Sequence, residues 1–208
     1  MENLNYVIHL FHSGGYVMYP LLFLSLMVIA IAVERAFYYR KYAGKTFVVC
    51  HAVNELSRLQ RWDEIEKVIQ ENPSIASRVA QAGLMNDKDE AGMKTAFGDQ
   101  MGVDAVGFKK YMDYLSATVT ISPLLGLLGG TVTGGMIGSF SILDSGAGAS
   151  AITGGGVGEA LIATASGLCV AIMAFIVYTF FSHRLDSIIN QIETMCVNII
   201  TAKREGWK

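Results

Sequence analysis

The sequence predicts an all-α membrane protein with three transmembrane helices, the second and third long enough to extend into the cytoplasm, assembled as an oligomeric ring. Three observations predict it. Only 16% of the 208 residues are charged, and the apolar residues are bunched into runs longer than a small globular core uses. The segments Tyr16 to Val33, Tyr114 to Leu143 and Ala160 to Ser182 carry no Asp, Glu, Lys or Arg for 18, 30 and 23 residues. Crossing ~30 Å of hydrocarbon takes ~20 apolar residues at ~1.5 Å each, so each run can span once. Thirteen of the 22 glycines fall between Gly126 and Gly167. That density is costly in a soluble helix but lets helices approach closely in lipid, which supports self-association through the second and third spans.

The basic residues orient the chain. All sixteen Lys and Arg lie between Arg35 and Lys110 or between Arg184 and Lys208. Basic residues near span ends mark the cytoplasmic side, so the N-terminus is expected in the periplasm and the C-terminus in the cytoplasm. No basic leader region or cleavage site is evident, and the first span is expected to serve as an uncleaved anchor.

Along the chain, residues 1–14 read as a periplasmic interfacial helix, with Leu4, Val7, Ile8 and Phe11 on one face and Asn5, His9 and His12 on the other. Two histidines without a third ligand do not make a metal site. Transmembrane helix 1 covers 15–39, with Pro20 in its first turns and tyrosines at both ends as interfacial anchors. At its inner boundary Glu34-Arg35 either docks the cytoplasmic region or is a solvated pair of little consequence. Residues 40–110 form a cytoplasmic helical region. Its first segment carries Phe47, Cys50, Val53, Asn54 and Leu56, and its second Trp62, Ile65, Val68 and Ile69. Asn72-Pro73 breaks the chain, a third helix begins at Ser74, and the pattern from Asp89 stays helical through Lys109-Lys110 into the next span. Transmembrane helix 2 covers 111–143, a periplasmic loop 144–153, transmembrane helix 3 154–183, and a cytoplasmic C-terminal helix 184–208. Cys50, Cys169 and Cys196 have no Cys-x-x-Cys partner and read as small apolar fillers.

One carboxylate stands apart. Glu159 is the only charge between Asp144 and Arg184. It lies some 24 residues before the inner boundary, or ~36 Å along a helix, toward the outer side of the membrane. An ionised acid in hydrocarbon costs roughly 2.5–3.5 kcal/mol at the centre, so such residues face a cavity or a partner. Glu159 is either a proton acceptor or a fixed acid that orders neighbouring hydroxyls. Those hydroxyls are plentiful: Thr118, Thr120, Ser122, Thr131, Thr133, Ser139 and Ser141 in the second span, Thr164 and Ser166 in the third. Any one of them can simply bond back to its own helix.

The segment LSATVTISPLLGLLGGTVTGGMIGSF (115–140), with GVGEALIATASGL (156–168) after it, resembles the signature of the MotA/TolQ/ExbB proton-channel family, and the three-span layout is closest to its ExbB/TolQ branch. The resemblance implies that Thr131 is similar to the pore-facing threonine of the family's second span, and that Glu159 and Thr164 match the pair in its third-span motif. Thr133 and Ser166 are possible further pore-lining residues. It also implies a homo-oligomer of five subunits around two copies of an ExbD/TolR-like single-span partner, whose aspartate carries the proton. Such a motor uses the proton motive force to energise a TonB- or TolA-like periplasm-spanning protein. The family usually reads one glycine before TV and one before MI, whereas this chain has Gly129-Gly130 and Gly134-Gly135. Each extra residue turns the remainder of the helix by ~100° unless a π-bulge absorbs it, which bears on where Thr131 faces. Thr164 stands ~140° from Glu159 on an ideal helix; Ala163 and Ser166 share the glutamate's face better.

A non-conducting scaffold and a subunit of a solute transporter remain as alternatives. No phosphate loop, zinc-type Cys/His spacing or nucleophile motif is present, so neither an enzyme nor a cofactor is expected, and no nucleic-acid partner. The lipid bilayer is the one partner the composition itself dictates.

Overall fold

A computed structural model describes residues 14–86, 89–132, 136 and 149–204, with the backbone alone described at 149–156 and 159. The expected interfacial helix, with His9 and His12, lies outside these residues. Among the described residues there are six α-helices: α1 Met18–Arg58, α2 Trp62–Glu71, α3 Ile75–Met85, α4 Glu90–Lys109, α5 Met112–Gly129 and α6 Ala149–Lys203. Segments Met18–Arg58, Met112–Val132 and Ala160–Lys203 are long and apolar enough to cross a membrane, and the protein is a multi-pass membrane protein. α6 begins at Ala149, inside the segment expected as a loop. The chain divides into two compact units, one of residues 1–32 and 111–179, the other of 33–110 and 180–208.

In the second unit α1 and α6 run parallel. Tyr39 OH donates to the Phe181 carbonyl at 3.4 Å, and fifteen residues further along α1 Asn198 Nδ2 donates to Asn54 Oδ1 at 3.0 Å. Buried Phe181, Leu185, Ile188, Ile192, Met195 and Ile199 recur at alternating four- and three-residue steps on α6, the spacing of a coiled-coil seam. Thr46, Val49, Cys50, Val53 and Ser57 answer them on α1. Tyr39 is therefore a core residue, with its ring against Phe108 and Phe181, and not the interfacial anchor expected. The Asn54–Asn198 pair fixes the axial register of two otherwise apolar stripes.

Cys50 and Cys196 belong to this seam, beyond the stretches 15–39 and 154–183 expected from the sequence to cross the membrane. Burial pushes both thiols from 9.0 up to about 12, with Cys50 adding to the shift at Cys196. The thiolate is the reactive form, so at pH 8 neither should take up a maleimide until the protein is unfolded. A thiol whose folded pKa exceeds its unfolded value contributes its full stability below the unfolded value and loses it as pH rises, because only the unfolded state ionises. The stability difference between the native protein and a Cys50→Ala/Cys196→Ala variant should hence narrow between pH 9 and 12. Melting both proteins across that range is the check.

The short helices are set by local signals. Ser74, just after Pro73, caps α3 by accepting from the Ser77 amide at 3.2 Å, as its hydroxyl is suited to do. Gly83 of α3 lies flat against the buried Phe97 of α4, where a Cβ would sit 2.1 Å from the ring. Arg78 then clamps Asp104 with Nε and Nη2, at 3.1 and 2.7 Å from Oδ1.

Arg35 is 1% exposed. Its Nε and Nη2 hold the Glu34 carboxylate at 2.6 and 2.7 Å, its Nη1 donates to the carbonyls of Gly107 and Phe108 at 3.0 and 3.3 Å, and its guanidinium lies 4.6 Å from the Tyr38 ring centre. The pair docks α1 to the end of α4 and is not a solvated surface pair. Those two carbonyls are the ones a continuing helix would offer to residues 111 and 112. α4 accordingly stops at Lys109, Tyr111 takes a left-handed φ of 67°, and α5 starts anew at Met112. The unbroken helical pattern expected through Lys109-Lys110 is interrupted there.

Candidate functional site

The first unit is organised by glycines that bring α5 against α6. At Gly126 a Cβ would lie 2.9 Å from the Ala163 carbonyl oxygen and 3.1 Å from the Gly167 Cα. At Gly167 it would lie 2.5 Å from the Ser122 carbonyl oxygen and 2.9 Å from the Gly126 Cα. The obstacles are backbone atoms, so this pair is a contact of main chain on main chain, as small residues permit between helices in lipid. Gly126 therefore serves packing within one chain, where the glycine density alone suggested packing between chains.

The doubled glycine has two separate neighbours. A Cβ on Gly129 would meet the Val17 side chain at 2.7 Å, and one on Gly130 would meet the Ala160 carbonyl oxygen at 2.7 Å and Thr164 Oγ1 at 3.0 Å. Gly130, Thr131 and Val132 form a π-helical turn that continues α5. A π turn holds one more residue than an α turn and so absorbs an insertion without resetting the rest of the helix. Gly129, the last residue of α5, thus faces Val17 just ahead of α1, and Gly130, the first of the π turn, faces α6.

The structure separates the expected site residues. Thr131 is exposed, and its Oγ1 is within reach of the Leu127 and Leu128 carbonyls at 3.0 and 3.2 Å. Thr164 is half-buried, with Oγ1 3.0 Å from the Ala160 carbonyl and 3.4 Å from the Gly126 carbonyl of α5. Through Gly130 the two threonines stand at one level of the packed pair. Ser166 is half-buried on α6, and Thr133 lies outside the described residues. Glu159 is placed by its backbone in α6, one turn before Ala163; its side chain lies outside the description.

The other hydroxyls of α5 separate by face, which their positions in the chain alone could not reveal. Thr118 and Ser122 are buried at 1% and 0%. Thr118 bonds the Tyr114 carbonyl at 2.7 Å, and Ser122 Oγ has no hydrogen-bond partner among the described residues. The exposed surface of α5 has two edges. Asp113, Ser116, Thr120, Leu124, Leu127 and Thr131 are all exposed and fall within an arc of about 80° on helical geometry. Beside them, Tyr114, Ala117, Ile121, Leu128 and Val132 are exposed too, and every one is apolar or aromatic. The helical period could have found this from the sequence, had it been run backward from Thr131.

Comparison with known proteins places this architecture. The model of the MotA/TolQ/ExbB proton channel family matches residues 71–194. A Synechocystis protein described as an ExbB-like biopolymer transport protein is 30% identical over 174 residues, covering 81% of each chain. A homologue of biopolymer transport protein ExbB in Methanothermobacter thermautotrophicus is 25% identical over 189 residues, 90% of this chain and 67% of its own. Biopolymer transport protein ExbB of Salmonella typhimurium is 38% identical over 106 residues, 48% of this chain and 42% of its own. The matched region contains α5, its glycine contacts with α6 and both threonines, and the chain belongs to the MotA/TolQ/ExbB proton channel family.

Proposed function

We propose that the chain is the ring-forming subunit of an ExbB-type inner-membrane motor, five copies surrounding two copies of an ExbD/TolR-like single-span partner. The motor draws on the proton motive force and energises a TonB- or TolA-like protein that spans the periplasm. The N-terminus lies in the periplasm and the C-terminus in the cytoplasm, as the distribution of Lys and Arg supports. Thr131, Thr164 and Glu159 serve the ion pathway, with Thr133 and Ser166 as further lining.

One observation carries this reading beyond membership of the family. Thr131 stands exposed on a span whose other face is fully packed, at the level where Gly130 meets Thr164. A partner carboxylate can exploit such hydroxyls: ionised it seeks them, and neutral it tolerates the leucines beside them. A proton falling through 100 mV releases ~2.3 kcal/mol per charge, enough to bias which of two packings is preferred.

Glu159→Gln tests the reading, since it keeps size and hydrogen-bonding capacity but removes titration. In a deletion strain complemented with the variant and its partners, complex yield should match the native protein while gradient-driven work is lost. The work is read as uptake under iron limitation and as resistance to detergent, which also separates a TonB-type from a Tol-type role. Full activity of Glu159→Gln at normal expression would leave the glutamate a packing element and defeat the relay.

A further inference from the structure

We infer that the ion pathway continues from Thr131 along the polar edge of α5 to Asp113, which forms its cytoplasmic mouth, with Ser116 and Thr120 between and Leu124 and Leu127 as a dry neck. This rests on the reading of Thr131 as pore-facing and extends it by the whole length of the span. The species carried is a proton or another small monovalent cation.

The two edges of α5 carry the argument. Both are exposed in the fold, yet only one carries polar aliphatic side chains. The edge with Tyr114, Ala117, Ile121, Leu128 and Val132 has no charge and no aliphatic hydroxyl, and suits hydrocarbon. The neighbouring edge has a carboxylate and three hydroxyls among six residues. Polar and ionisable side chains in a span turn toward a bundle interior or a water-filled cavity. Asp113 and Thr131 are 18 positions apart, so the edge runs ~27 Å, nearly the full hydrocarbon thickness. Its one apolar interruption is Leu124 with Leu127, on the same arc. A leucine pair there keeps the two polar halves from joining as a continuous water column, so passage needs a carrier acid and not free diffusion. Below the neck, Thr120 Oγ1 lies 3.5 Å from the Ser116 carbonyl, leaving the hydroxyl oxygen free to accept from a hydrated cation. Asp113 sits in the first turn of α5, where a carboxylate also complements the helix N-terminus. The experiment has to separate that local role from an ionic one.

Substituted-cysteine accessibility does so in the full complex, with the exposed native Cys169 replaced by serine. Single cysteines go to Ser116, Ala117, Thr120, Ile121 and Thr131. A cationic methanethiosulfonate applied from the cytoplasmic side should modify Ser116→Cys and Thr120→Cys, and spare Ala117→Cys and Ile121→Cys. At Ser116→Cys the cationic reagent should outpace its anionic counterpart, and adding Asp113→Asn should shrink that preference about fivefold or more, the effect of one unit charge a few ångströms away in water. Asparagine at this first-turn position gives up only the modest attraction of a charge for the helix N-terminus, so assembly should persist, and Asp113→Glu should restore the preference. Equal labelling of the two edges, or a reagent preference indifferent to Asp113→Asn, would overturn the inference. Thr131→Cys is the separate arm: if Thr131→Cys is labelled from the periplasm while positions 116 and 120 stay protected, the outer site stands and its inward continuation falls.

Discussion

Gly167→Ala destabilises the protein by about 1–3 kcal/mol, the range for forcing extra atoms into a packed interior, and Gly167→Leu prevents its accumulation. A methyl at this position would lie 2.5 Å from the Ser122 carbonyl oxygen and 2.9 and 3.2 Å from the Cα and N of Gly126. All three are backbone atoms of a helix, so no side chain can swing aside, and α5 must move away from α6 as a unit. Separation would also remove the Thr164 hydroxyl from the Gly126 carbonyl. Gly158→Ala is the control, because a Cβ there meets nothing within 4 Å among the described residues; alanine's better helix propensity should leave it neutral or slightly stabilising. Thermal unfolding of the detergent-purified proteins measures both. Equal melting temperatures for Gly167→Ala and the native protein would contradict the packing described.

Arg35→Met should cost about 2 kcal/mol or more, the worth of hydrogen bonds to a charged donor in a buried setting. Methionine fills much of the volume but leaves the Gly107 and Phe108 carbonyls without their donor and Glu34 without its cation. Glu34 is 47% exposed, so water softens its share of the loss. Arg35→Lys should fall between, since a point-like ammonium cannot bridge a carboxylate and two carbonyls as a planar fork does. Limited proteolysis near Lys109-Lys110 reads the local effect: the junction between α4 and α5 should be cut faster in Arg35→Met, with lysine intermediate. Unchanged cleavage in Arg35→Met would show that the backbone break at Tyr111 holds without the arginine.

Features that rest on composition and period were legible in the sequence. Three spans come from uncharged length alone, the start of α3 from Pro73 and Ser74, and the threonine and glutamate candidates from motif. Less legible was anything that depends on which neighbour a residue meets. Glu34-Arg35 looked the same whether docked or solvated, because the deciding atoms are carbonyls 72 and 73 positions away. Tyr38 and Tyr39 looked alike as anchors, yet only Tyr39 turns into the core. The two glycines at 129 and 130 read as an anomaly of phase because their separate neighbours, Val17 and α6, are distant in sequence. Glycine density signalled close approach but carried no information on whether the approaching helix belongs to the same chain.

The back-bonded threonines bear on how such a subunit is made. In the ring proposed above, a newly inserted protomer would reach the bilayer before its neighbours, with the polar edge of α5 turned to acyl chains. Thr120 and Thr131 each meet a carbonyl of their own helix, so neither hydroxyl is stranded in lipid during that interval. Before any assembly, these two hydroxyls thus need no second protein to satisfy them: the helix that carries them already does so.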